Sequence, residues 1–115
     1  MARAVLLVGP EGFFLAVLAA THRVDLAGLS RFWGGPVRLA REDEVARVFR
    51  DCEWGVVSPF GNRYGLPTLI DAALPPDTWI VLEGGTHHEA VLLQCADFER
   101  LSGSCRISFA RREPA

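Results

Sequence analysis

The chain has 115 residues, half of them apolar, which suffices for one domain with its own core and is too short for two. Twelve arginines against 14 acidic residues leave a net charge of −2, which argues against a strongly basic nucleic-acid module and against an acidic tail. Lysine is absent, so a lysine Schiff base or general base is ruled out. Cys52, Cys95 and Cys105 are odd in number and lack CxxC spacing; this points away from disulfides and zinc fingers and fits a reducing, cytoplasmic setting.

Ala4 to Val8 is rich in Val and Leu and predicts a strand. Gly9-Pro10-Glu11-Gly12 predicts a tight turn, because Gly frees φ and Pro fixes it. The turn also breaks the first apolar stretch too early for a signal peptide, and no run reaches the roughly 20 residues of a membrane helix. Phe13 to Ala20 is apolar without alternation, as in a strand covered on both faces, and its place after the turn predicts a hairpin. Asp25 can cap a helix in which Leu26, Leu29 and Trp33 form one stripe, ended by Gly34-Gly35-Pro36. Val37 to Leu39 predicts a short strand. Arg41 to Arg50 predicts a second helix with Val45, Val48 and Phe49 inward. Its first turn carries Glu42, Asp43 and Glu44, read as partners of the helix dipole on a solvated face.

Cys52 to Leu66 is the longest irregular stretch, and a loop of that length in a small domain is often functional. Pro67 to Asp71, Thr78 to Glu83 and Ala90 to Gln94 predict strands, the last two joined by the Gly-rich loop Gly84-Gly85-Thr86-His87-His88. Asp97 to Leu101 predicts a short helix with Phe98 and Leu101 inward. Arg106 to Ala110 predicts a last strand with Ile107 and Phe109 on one face. The pattern is α/β or α+β with a mixed sheet.

Few residues suggest chemistry by themselves. Adjacent His87 and His88 would point to opposite sides of an extended backbone, so they do not make a metal pair, and no metal or cofactor is expected. Gly84 and Gly85 allow close backbone approach to a ligand, although an ordinary hairpin loop is the plainer reading. Ser58 lies in no nucleophile-elbow motif and reads as part of a rigid loop wall. Cys52 and Cys95 read as small core residues. Arg3, Arg23 and Arg63 are candidates for a phosphate, yet their spacing shows no convergence and each reads more simply as a surface charge.

Several ordered strings are more telling together. They run Ala19-Ala20-Thr21-His22-Arg23-Val24-Asp25-Leu26, Val37-Arg38-Leu39-Ala40 with Glu44-Val45, and Val57-Ser58-Pro59-Phe60-Gly61. Tyr64-Gly65-Leu66-Pro67 and Ile70-Asp71 follow, then Gly84-Gly85-Thr86-His87 with Glu89, and Ala96-Asp97-Phe98. In order and spacing over residues 3–101 they resemble the YbaK/prolyl-tRNA-synthetase-associated editing domain family. The resemblance implies a single α/β domain over residues 1–115, a mixed sheet with flanking helices. It implies an aminoacyl-tRNA deacylase that hydrolyses, in trans, the ester of tRNA mischarged with Cys, Ala or a similar small amino acid. It implies no protein nucleophile, metal or cofactor: loop backbone holds the ester while water or the terminal ribose hydroxyl attacks.

By position, Arg3, Gly84, Gly85, Thr86 and His87 fall on the family's catalytic residues. Ser58, Pro59, Phe60, Gly61 and His22 fall on its substrate-binding residues. The implied partners are the tRNA acceptor end and an aminoacyl-tRNA synthetase, with no membrane. Two departures stand out. Arg3 replaces the family's early lysine, keeping the charge but not the ability to deprotonate. The N-terminal helical segment of free-standing members is missing before the first strand, and an apolar flank left uncovered would favour a homodimer. The alternative function is a non-catalytic module that binds aminoacyl-tRNA 3′ ends or a synthetase.

Overall fold

The computed structural model describes residues 1–112; the last three residues of the expected domain, 113–115, lie outside the described residues. Ala2–Gly9 (β1) and Gly12–Ala19 (β2) form the predicted hairpin, with Gly9 opposite Gly12. His22–Val24 (β3) leads into Leu26–Trp33 (α1), where the Asp25 carboxylate accepts the Gly28 N–H as a cap. Arg38–Leu39 (β4) and Glu42–Val48 (α2) follow. The long loop contains a 3-10 turn, Gly61–Tyr64. Thr68–Asp71 (β5), Trp79–Glu83 (β6) and Ala90–Gln94 (β7) come next. The described part ends with Cys95–Ser102 (α3), Cys105–Ile107 (β8) and Ala110–Arg112 (β9).

Five strands form one mixed sheet in the order β4-β1-β2-β5-β8. β5 runs parallel to both β2 and β8, while β1 is antiparallel to β2 and β4. Two antiparallel ribbons, β3–β9 and β6–β7, stand apart from it. β2 is the centre, and Leu15, Ala16, Val17 and Leu18 are wholly buried, as its unbroken apolar run predicts. Alternation sends Val17 toward α3 and the β6–β7 ribbon, where it meets Ile80, Leu82 and Phe98. Leu15 packs with Leu6 and Phe49 beneath α2. Phe14, Ala16 and Leu18 face the other way, onto Leu29 of α1 and Phe109. The sheet is thus covered on both faces, the condition under which parallel pairing persists.

Three expectations need correction. The last predicted strand is two strands, β8 and β9, because the Asp71 carboxylate accepts the Phe109 and Ala110 N–H groups and turns the chain between them. Leu101 points outward and is 55% exposed; the following residue, Ser102, turns inward instead and its hydroxyl donates to the Phe98 carbonyl. Glu44 is buried rather than on a solvated face.

The reason for the Glu44 burial lies in β4, outside the helix. Arg38 grips the Glu44 carboxylate with both terminal nitrogens, at 2.8 and 3.0 Å, and the Arg41 N–H adds a third bond at 2.9 Å. That last bond closes the start of α2, which has no conventional cap residue. The Arg38 hydrogen bonds, then the Arg41 N–H, hold the Glu44 carboxyl down to about 2, against its ordinary 4.5. A depressed carboxylate contributes stability above its unfolded value and loses it as pH falls toward the folded one. Wild-type stability should therefore drop between pH 4.5 and pH 2. Glu44→Gln should be less stable at neutral pH and show a flatter profile in that window, measured by thermal melts.

Candidate functional site

The two loops singled out by the sequence meet. The Glu53 N–H donates to the Gly85 carbonyl at 2.8 Å, and His87 Nε2 lies 2.8 Å from the Trp54 carbonyl. A carbonyl can only accept, so Nε2 is the donor in this contact. His87 Nδ1 is 3.7 Å from Glu83, and Nε2 is 4.0 Å from Glu53. His87 is therefore a latch between the loops, flanked by two carboxylates.

Beside the latch opens a cleft of about 220 Å³. Its walls are the start of β1 from Met1 to Ala4, the loop residues Gly55, Val57 and Pro59, and Leu82 with Glu83 at the end of β6. The volume is below the roughly 300–1,000 Å³ typical of whole small-molecule sites. From Glu83 the chain passes directly into the Gly-rich loop. There the Gly84 N–H bonds to the Glu89 carbonyl, the Glu89 N–H to the Thr86 carbonyl, and the His88 N–H to the Thr86 hydroxyl. Among the described residues, the N–H groups of Gly85, Thr86 and His87 have no partner; the expected catalytic residues Gly84 to His87 follow Glu83 in the chain and do not themselves line the cleft.

The proposed site residues separate by what they touch. Arg3 and Pro59 line the cleft. The Arg3 guanidinium donates to the His22 carbonyl at 2.7 Å and also lines a second, larger cleft. His22 serves here through its backbone, in β3. Ser58 is buried and its hydroxyl accepts the Phe60 N–H. Phe60 packs against Phe98, with ring centroids 5.5 Å apart. Gly61 is wedged against β2 and β5. A Cβ there would lie 2.8 Å from Leu15 Cδ1 and closer still to Thr68 Oγ1. Ser58, Phe60 and Gly61 thus hold the wall from behind.

Sequence reading missed Glu53, Trp54, Gly55 and Glu83. Gly55 inside the long loop was the available signal, but nothing in the sequence paired that loop's first half with the Gly-rich loop. Cys95 is buried, and burial raises its thiol pKa, so it is a poor nucleophile. Among the described residues no three His, Cys, Asp or Glu side chains are grouped to hold a metal ion. No helix among them is long and apolar enough to cross a membrane.

The fold and the apposed loops define a small mixed-sheet α/β domain with a small cleft beside the loops. The aminoacyl-tRNA editing domain family matches residues 1–101, and the chain belongs to that family. A solved structure described as a candidate trans-editing enzyme for prolyl tRNA synthetase is similar at 27% identity and TM-score 0.81, covering 96% of this chain and 69% of that one. Two more distant structures share the fold. The protein APE2540 aligns at 18% identity and TM-score 0.85, over 96% of this chain and 74% of that one. A scaffold used to present linear epitopes aligns at 22% identity and TM-score 0.81, over 99% and 72%. Comparison with curated proteins gives no significant match.

Because Gly61 admits no Cβ without displacing Leu15 or Thr68, Gly61→Ala should lower stability by about 1–3 kcal/mol, the usual range for overpacking. Chemical denaturation measures this, and an unchanged midpoint would remove Gly61 from the wall.

Proposed function

We propose that this domain hydrolyses the ester of mischarged aminoacyl-tRNA in trans, removing a small amino acid such as alanine or cysteine. The observation that carries the reading is the run of unpartnered N–H groups on Gly85, Thr86 and His87 in the loop that continues from Glu83, a lining residue of a cleft of small volume. Ester hydrolysis passes through a tetrahedral oxyanion, and donors already fixed in place stabilise it without reorganising. In this reading a water oxygen attacks the ester carbonyl and the carbonyl oxygen becomes the anion held by those donors. The bond to the ribose oxygen then breaks, and that oxygen takes up the proton the water gives up.

Glu83 on the cleft wall supplies a carboxylate for the substrate's α-ammonium group. The latch between His87 and Trp54 keeps the donors aimed. A tight cleft excludes large side chains, because discrimination by size is strong only against groups that do not fit. Arg3 stands for the family's lysine as a fixed positive charge near the ribose.

The binding-only reading has one observation in its favour: the Arg3 guanidinium is engaged by the His22 carbonyl. The test is turnover on a panel of mischarged tRNAs. The expected result is deacylation above the uncatalysed rate for small amino acids. Gly85 has no positive φ and open space at its Cβ, so Gly85→Ala should fold normally. It should nonetheless lower kcat/KM by about tenfold or more, since the methyl group meets the ester. Arg3→Lys should keep or raise activity. Tight binding of a non-hydrolysable aminoacyl-adenosine with no turnover on any tRNA would select the binding-only function.

A further inference from the structure

β6 and β7 form a ribbon that pairs with no other strand among the described residues. The phase of its ladder is set at both ends, where the Gly84 N–H bonds to the Glu89 carbonyl and the Cys95 N–H to the Thr78 carbonyl. Antiparallel pairs alternate, so in the observed register Ile80–Leu93 and Leu82–Val91 exchange the ladder bonds. The backbone groups of Ala90, Leu92 and Gln94 therefore point away from β6. Since β6 is the strand that meets the start of β1, β7 is the outer edge. Among the described residues, no backbone carbonyl outside the ribbon accepts the Ala90, Leu92 or Gln94 N–H.

The side chains agree with the backbone. Ile80, Leu82 and Leu93 turn inward onto the core. On the opposite face Trp79 and Leu92 are 61% and 64% exposed, and Leu92 stands beside its cross-strand partner Val81. Folded proteins guard an open strand edge with charge, proline or a bulge. Ala90-Val91-Leu92-Leu93-Gln94 holds no charge and no proline, and its register with β6 is unbroken.

We infer that β7 pairs antiparallel with β7 of a second copy of this chain, about a two-fold axis at Leu92, so that two ribbons join into one sheet. The edge is complementary to itself because its outward groups are spaced evenly on either side of Leu92. Leu92 exchanges both its bonds with its counterpart, and each Gln94 N–H meets the Ala90 carbonyl of the other copy. The Gln94 carbonyl is left to α3, for which Gln94 is the N-cap residue. Across the axis the exposed face reads Val81, Leu92, Leu92, Val81, an apolar row in which no like charges oppose each other. A net charge of −2 adds little repulsion between copies. The gain is physical: a two-stranded ribbon is marginal by itself, and added strands stabilise it.

The test is sedimentation of the whole chain from about 1 µM to about 1 mM, a range suited to a small and therefore weak interface. The expected result is a monomer–dimer equilibrium. Leu92→Lys sets like charges opposite each other on the axis and should weaken dimerisation at least about tenfold. Phe32→Lys puts the same charge on another exposed apolar residue, in α1 on the far side of the sheet, and should leave the equilibrium unchanged. Thermal melts at the dilute end show whether Leu92→Lys folds. Residue-resolved hydrogen exchange on the wild type needs no variant: the Leu92 and Gln94 amides should be protected in the concentrated sample and exchange freely in the dilute one.

A monomer at every concentration overturns the inference and leaves the edge to a strand from a different protein. A dimer indifferent to Leu92→Lys also overturns it. So does a dimer whose Leu92 and Gln94 amides exchange as in the monomer, since it would be held by some other surface. Should Leu92→Lys fail to fold, the wild-type exchange result decides by itself.

Discussion

Everything in this domain is hung on β2, a strand with no exposed side. Five consecutive residues, Phe14 to Leu18, are buried, and successive side chains must go to opposite faces. Each face therefore needs a cover. On one side α1 and the Phe109 segment supply it; on the other, α2, α3 and the β6–β7 ribbon do. Because β2 is flanked by β1 and β5, the start of β1 and the loop before β5 are fixed relative to one another. The small cleft is the space left where those two parts fail to touch.

The wall of that cleft is held by close packing together with a few hydrogen bonds. Gly61 lies so close to Leu15 and Thr68 that the loop has no room to slide. Phe60 reaches the α3 layer through Phe98, and Asn62 donates to the Leu101 carbonyl at the end of α3. The opposite lip has no such anchoring. It is a hairpin end, held by the Glu53–Gly85 and His87–Trp54 bonds. One lip is therefore part of the core and the other is latched to it. In such an arrangement backbone donors can be aimed by a few hydrogen bonds while glycine keeps the approach open.

Arginine performs several distinct tasks in this lysine-free chain. Arg38 makes a two-pronged bond to a buried carboxylate. Arg106 pairs with Glu99 and also donates to the carbonyls of Ala72 and Leu74, tying α3 and β8 to the turn after β5. Both tasks use the planar fork, which a compact ammonium could not replace. Arg23 and Arg111 are different: they are cross-strand partners in the β3–β9 ribbon, and Asp25 lies 3.3 Å from Arg111.

Much of this was legible from the sequence, for local reasons. The β1–β2 hairpin followed from Gly9-Pro10-Glu11-Gly12 between two apolar runs, and α1 from a cap and an apolar stripe, because turns and amphipathic periodicity are set by near neighbours. The family was legible from ordered strings around both loops. What was not legible depended on partners distant in the chain. Glu44 looked like a surface acid until Arg38 was brought over it, and the last strand divided because Asp71, 38 residues earlier, captures Phe109. Arg23 and Arg111 became neighbours only when β3 paired with β9, and Arg63 lies apart from them, 4.0 Å from Asp51. Sequence alone determined which segments turn, which are covered and which loops are rich in glycine. Tertiary structure decided which charges meet and which backbone donors stay free, because long-range pairing sets electrostatic neighbours and no local pattern encodes it.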